Sequence, residues 1–144
     1  MTGYYKVLDG LRNELLSNPF VNVVTDGLGD DIDLSKQTIF PLSHIVILTA
    51  QPIDNIVTFT VDVYCMDIVD IDDIGSPVNL HDVLNTQYNV CLRMYSSLRR
   101  GDLWDDGIEI SSINLESFEQ AYENYLAGWR MSLTVEVPNH MSIC

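Results

Sequence analysis

The stretch Ile56-Val57-Thr58-Phe59-Thr60-Val61-Asp62-Val63-Tyr64-Cys65-Met66-Asp67-Ile68 alternates with a period of two: Val57, Phe59, Val61, Val63 and Cys65 fall on one side, Thr58, Thr60, Asp62 and Tyr64 on the other. Such alternation marks a half-buried antiparallel strand, one face on a core and one toward water. The segment before it, Phe40 to Ala50, is apolar on both sides, with Val46, Leu48 and Ala50 against Ile45 and Ile47. Gln51-Pro52-Ile53-Asp54-Asn55 lies between the two, and its proline and Asx residues suit a hairpin turn. The pair predicts a central hairpin. Its doubly apolar first strand predicts two covers, a helix on one face and something further, such as a neighbouring subunit, on the other.

On the N-terminal side, Tyr4, Val7, Leu8, Leu11 and Leu15 draw one apolar stripe on a helix from about residue 3 to Ser17, which Asn18-Pro19 stops. Phe20 to Val24 reads as a short strand ending at Asp26-Gly27, and the acidic run to Lys36 as a surface loop. Beyond the hairpin, Asp67 to Pro77 is a second acidic connector. A helix then begins near Ser76 or Asn79, either of which can cap it. Leu80, Leu84, Tyr88, Cys91, Leu92, Tyr95 and Leu98 supply its stripe to about Arg99, and Arg93, Arg99 and Arg100 suit the negative end of its dipole. After a turn at residues 101–107, Ile108 to Phe118 and Ala127 to Val137 read as closing strands, with Glu119 to Tyr125 a helical turn or a loop between them. In the last strand Trp129, Met131, Leu133, Val135 and Val137 oppose Arg130, Ser132, Thr134 and Glu136. The fold class predicted is α+β: an antiparallel sheet built on a long central hairpin with two helices packed on it, in a single domain over 1–144.

The chain has 144 residues, 47% hydrophobic and 19% charged, with 21 acidic against 7 basic residues and a formal charge of −14. A chain of this length buries roughly 68–70% of its unfolded surface, enough for a core without disulfides or metals. No stretch approaches the ~18 apolar residues that span a bilayer, and the start, Met1-Thr2-Gly3-Tyr4-Tyr5-Lys6, lacks a signal-peptide pattern, so a cytosol-like compartment is expected. Cys65 and Cys91 read as core hydrophobes and Cys144 as a tail thiol. The negative charge repels phosphate backbones, and Arg99-Arg100 form the only basic pair, which argues against sequence-specific nucleic-acid binding. The plain reading of such acidity is solubility.

Motifs that carry chemistry fail one by one. Asp70, Asp72 and Gly75 match three positions of a calcium loop, but Ile74 and His81 stand where oxygen ligands are required. Asp30, Asp31 and Asp33 could gather a hard cation, but oxygen ligands must also converge geometrically, and a solvated acidic loop is the better reading. Gly27-Leu28-Gly29 is too short for a dinucleotide fingerprint. His44, His81 and His140 lack fixed-spacing partners, so no nucleophile, base and orienter can be proposed together. Neither a metal nor another cofactor is expected. Among the aromatic residues, Tyr88, Tyr95 and Trp129 lie on periodic stripes, whereas Trp104 sits in a polar turn beside Asp102, Asp105 and Asp106 and is a candidate interface residue.

Helix, short strand, acidic loop, two-stranded hairpin, helix and closing strand pair, in this order and at this length, resemble the tail terminator and tail-completion proteins of tailed bacteriophages. The comparison is prompted by the Tyr4–Leu16 helix, the Phe40–Ile68 hairpin, the Leu80–Leu98 helix and the ending Trp129-Arg130-Met131-Ser132-Leu133-Thr134-Val135-Glu136-Val137-Pro138-Asn139. The resemblance implies a structural virion protein made in the bacterial host cytoplasm. It would form a homo-oligomeric ring in the head–tail neck around a DNA channel, without catalysis or cofactor, between a connector or adaptor ring and the tail proteins. DNA would pass through without being specifically bound, and no membrane is involved. On this reading Asp30, Asp31, Asp33, Asp70, Asp72 and Asp73 face a DNA passage or a basic partner. The antiparallel pairing is expected to gather both acidic loops at one end of the sheet, opposite Pro52. The alternative is an acidic DNA mimic or another protein-binding module.

Overall fold

The computed structural model describes residues 3–27, 39–70, 78–100, 108–121 and 125–138. Two helices, α1 (Gly3–Leu16) and α2 (Leu80–Arg100), accompany five strands: β1 (Val23–Asp26), β2 (Leu42–Ile53), β3 (Ile56–Ile68), β4 (Glu109–Ala121) and β5 (Tyr125–Pro138). The strands form one sheet in the order β1-β2-β3-β5-β4. The class is α+β, with one correction: the sheet is mixed, because β1 pairs in parallel with β2 (Val23 opposite Leu42, Asp26 opposite Ile45) while the other pairings are antiparallel. The turn between β2 and β3 is also tighter than expected, only Asp54-Asn55, with Asp54 in the left-handed region at φ 55°. Asp is one of the few side chains that tolerates this region. β1 begins at Val23, not Phe20, and residues 119–121 and 125–126 belong to β4 and β5.

Both helices pack on one face. Val7, Leu8, Leu11 and Leu15 of α1 and Val90, Cys91, Met94 and Leu98 of α2 share a buried cluster with Ile45, Phe59, Val61, Val63, Cys65, Met131, Leu133, Val135 and Val137. The period-two patterns of β3 and β5 thus face the helices as their sequences predict. α1 stops where Ser17 Oγ donates to the Glu14 carbonyl and Asn18 Oδ1 accepts the Phe20 amide at 3.0 Å, just before Pro19. An ion pair from Arg12 to Asp26 ties α1 to β1. α2 starts at Asn79, whose carbonyl accepts the Val83 amide, and carries Asp82 in its first turn and Arg99 and Arg100 in its last, as the helix dipole favours. Trp129 Nε1 donates to the Leu84 carbonyl at 2.9 Å and fastens α2 to β5.

The buried stripe of α2 is displaced from the one read in sequence. Val83, Gln87, Val90, Cys91, Met94, Ser97 and Leu98 are buried, whereas Leu80, Leu84, Leu92 and Tyr95 flank them and Tyr88 is partly exposed. Two polar residues, Gln87 and Ser97, occupy central positions, and a reading by apolarity passes over them. Ser97 is satisfied by Glu14 Oε1 at 2.6 Å. Gln87 is wholly buried, and neither its Oε1 nor its Nε2 has a partner among the described residues.

In β2 the strict alternation fails at Leu48. The register jumps between Ile47 (opposite Val61) and Thr49 (opposite Thr60), so a bulge turns Ala50 toward the helix face, opposite Phe59, and away from Val46. Ile45 is fully buried, Ile47 and Val46 are partly buried, and Leu48 remains exposed. A matching shift lies between Ile110 and Ser112 in β4.

Two substitutions test this packing. A Cβ at Gly128 would stand 1.9 Å from the Cys65 carbonyl oxygen and 2.8 Å from Met66 Cα, so Gly128→Ala is expected to cost about 2–3 kcal/mol in chemical denaturation by forcing β5 from β3. Gln87→Met removes an unsatisfied buried amide at similar length and is expected to stabilise by about 1–2 kcal/mol in the same assay.

Candidate functional site

Because both helices lie on one face, the other face of the sheet carries no helix among the described residues. Its residues follow from the register. Near the start of β2 it is apolar: Phe40, Leu42, Met66 and Leu126 are buried together, with Ile39, Tyr64 and Phe118 against them. The expected second cover of β2 is therefore supplied at this end by the chain itself.

Beyond that cluster the face turns polar in successive rows. The first is Thr25, His44, Tyr64, Arg130 and Glu116, each opposite the next on neighbouring strands. Thr25 Oγ1 lies 2.7 Å from His44 Nδ1, and His44 Nε2 lies 2.8 Å from the Gly27 carbonyl oxygen. A carbonyl can only accept, so Nε2 carries the proton and Nδ1 accepts from the threonine hydroxyl. Both ring nitrogens are occupied, and His44 holds the end of β1 against β2. Burial lowers its pKa from the ordinary 6.5, against the smaller opposite pull of the Gly27 carbonyl.

Arg130 Nη2 donates to Glu116 Oε2 at 2.5 Å, and the guanidinium pKa is raised first by Glu116 and further by Asp62 and Tyr64. In the next row the largely buried Asp62 accepts from Ser132 Oγ at 2.9 Å. Farther along, Thr49, Thr60, Thr134 and Ser112 form a row of hydroxyls, with Ser112 Oγ 3.0 Å from Thr134 Oγ1. Glu109 stands directly opposite Glu136 near the far end. This surface is rich in hydroxyls and carries carboxylates at Asp62, Glu116, Glu109 and Glu136, with Arg130 its one permanent cation among the described residues. Several of its polar side chains are bonded to one another, as in Thr25–His44, Ser132–Asp62, Ser112–Thr134 and Arg130–Glu116, while Arg130 Nε is buried without a partner among the described residues.

Of the interface or channel candidates singled out in sequence, Asp70 alone is described. It is exposed, its amide donates to Asn79 Oδ1 at 2.7 Å, and its carbonyl accepts the Val78 amide at 2.9 Å, which clips the end of β3 to the start of α2. Asp30, Asp31, Asp33, Asp72, Asp73 and Trp104 lie outside the described residues. The expectation that both acidic connectors gather at one end falls mostly outside the described residues, 28–38 and 71–77, and only their flanks are placed. Ile39 and Asp70 flank the same end of the β2–β3 pair, but parallel pairing of β1 carries Gly27 up toward Ile45. At the Asp70 end, burial raises the pKa of Asp67, against the hydrogen bond its Oδ1 accepts from the Ile68 amide and with Asp70 adding to the rise. Cys65 and Cys91 are buried free thiols that touch each other, and the pKa of Cys91 is driven up by the bond to Cys65 and by burial. The polar face itself was legible in sequence as the even-numbered positions of the two strands, but the pairing of His44 with Thr25 was not.

No protein-family model and no curated protein matches the chain. No helix among the described residues is long and apolar enough to cross a membrane.

The His44 clamp gives a pH dependence of defined sign. A histidine whose folded pKa is depressed contributes stability that is present above its unfolded value of about 6.5 and lost as pH falls below it. Protection factors of the Val23–Asp26 amides, with the intrinsic pH dependence of exchange divided out, should fall between pH 7.5 and pH 5. His44→Gln should remove most of that pH dependence in the segment.

Proposed function

We propose that this chain is a structural, non-catalytic subunit of a homo-oligomeric ring in the head–tail neck of a tailed bacteriophage, assembled from copies made in the host cytoplasm. The observation that supports the reading is the sheet face that carries no helix among the described residues, hydroxyl-rich and acidic, on a chain of net charge −14. A channel wall must let DNA slide without holding it. Carboxylates within a Debye length of the duplex (roughly 8 Å at physiological salt) repel it, and hydroxyls already engaged within the face, such as Ser112 with Thr134 and Ser132 with Asp62, offer phosphates fewer donors. The one guanidinium on the face is neutralised by Glu116. In a ring every such feature is multiplied by symmetry. The acidic DNA mimic is less well supported, since a mimic needs carboxylates in regular exposed rows, whereas Asp62 is largely buried against Ser132 and Glu116 is bonded to Arg130.

Electron microscopy of the purified protein, alone and with phage connector and tail proteins, is the direct test. Annular particles with an open centre are expected, eluting apart from duplex DNA at physiological salt. Monomers under every one of these conditions, or stable retention of DNA, would remove the reading.

A further inference from the structure

The two edges of the sheet are unlike, and their differences match. On one side β1 pairs only with Leu42–Ile45, so among the described residues no strand occupies the outer side of β2 from Val46 to Ile53. That half-edge bears no charged side chain, and Leu48 and Ile53 are 50% and 53% exposed. An uncharged, partly apolar edge is a template for another strand, and natural sheets ordinarily protect such edges with charge. Carboxylates bracket it instead, Asp26 at the end of β1 and Asp54 at the turn. Beside it a pocket of about 190 Å³ is lined by Tyr4, Leu8, Asp26 and Ile47.

The opposite edge is β4. Between its first half and the end of α2 runs a groove of about 570 Å³ lined by Tyr95, Leu98, Ile110 and Ile113, with Arg99 and Arg100, the chain's one basic pair, along it. The two features sit at one level of the sheet: Ile47 aligns through Val61 and Leu133 with Ile113, and Ala50 through Phe59 and Val135 with Ile110.

We propose that β4 of one copy adds to the free half of β2 of a second copy, so that the sheet continues from subunit to subunit in a head-to-tail ring. Direction favours this. β2, β3, β5 and β4 alternate in sense, so β4 runs opposite to β2, and copies placed side by side the same way up present antiparallel edges to each other. Charge favours it as well. Joining β2 to β2 would bring Asp26 and Asp54 against their own copies, and joining β4 to β4 would do the same with Arg99 and Arg100. The β2–β4 join sets Asp26 and Asp54 beside a groove with two guanidinium groups, Arg99 and Arg100, against one carboxylate, Glu109. Pro52, which has no amide hydrogen, ends the pairing near Gln51. The proposal rests on the homo-oligomeric part of the reading above and does not need the virion role.

Two exposed positions in one row of the sheet, Thr49 on β2 and Ser112 on β4, test it by light scattering and analytical ultracentrifugation of the full chain. Thr49→Lys and Ser112→Lys each place a charge on one edge. Circular dichroism and thermal melting report that each variant is folded. Wild type should associate, and each variant alone should weaken association at least about tenfold. An equimolar mixture should yield dimers and nothing larger, because the intact β4 edge of one variant meets the intact β2 edge of the other. Self-association of Ser112→Lys into dimers would point to a two-fold β2–β2 contact and overturn the proposal. Wild-type-like assembly of both variants would overturn it while leaving the homo-oligomer standing. A wild type monomeric at all concentrations would remove both.

Discussion

Two helices of 14 and 21 residues can shield one face of this five-stranded sheet and no more. Most apolar side chains of the strands therefore fall on that one face, and the buried ones on the other, Leu42, Met66 and Leu126, cluster with Phe40 near the start of β2. Val57 to Cys65 and Trp129 to Val137 obey at alternate positions, and β2 obeys by inserting a bulge at Leu48 so that Ala50 rejoins the helix side. The hydrophobic effect sets the constraint, since each buried aliphatic side chain contributes roughly 1.5–3 kcal/mol only if it leaves water.

The opposite face, which carries neither α1 nor α2, shows the consequence. A sheet surface of this size holds many hydroxyl, amide and carboxyl groups, and those with partners are paired within the face: Thr25 with His44, Ser132 with Asp62, Ser112 with Thr134 and Glu116 with Arg130. Such mutual pairing lowers the tendency of a surface to bind other polar molecules, because a new contact has to replace an existing one. The same bonds restrict register, since a slip by one residue would move Asp62 and Arg130 into the core. The polar network and the core therefore specify the same strand alignment.

The edges follow from strand length. β1 is four residues long and β2 is twelve, so one covers only the first part of the other. The uncovered part coincides with the least charged part of the chain, while the counterpart groove at β4 coincides with its basic pair. Both outer strands also bulge at the same level, next to the row of Thr49, Thr60, Thr134 and Ser112. Extra residues at this level increase local twist and curvature, a shape compatible with closure of several sheets around an axis.

The sequence by itself determined the elements whose signals are local. Alternation in β3 and β5, the stripe of α1 and the stop at Asn18-Pro19 could all be read from residues within a few positions of one another, because side-chain period and chain-stopping residues act locally. The start of α2 was narrowed only to Ser76 or Asn79, and Asn79 Oδ1 accepts the Asp70 amide nine residues away. The tertiary structure alone decided what depends on distant partners. The parallel placement of β1 is held by the Arg12–Asp26 pair, the His44 clamp and backbone bonds to Pro41 and Ile45, contacts across many residues of chain. The bulge at Leu48 appears only when β2 is laid against β3, and Gln87 and Ser97 enter the core only because α2 is turned so that Val83, Cys91 and Met94 face the sheet. Periodicity reports which side chains avoid water, but pairing and helix rotation are fixed by the summed packing of whole elements, and no short window of sequence contains that sum.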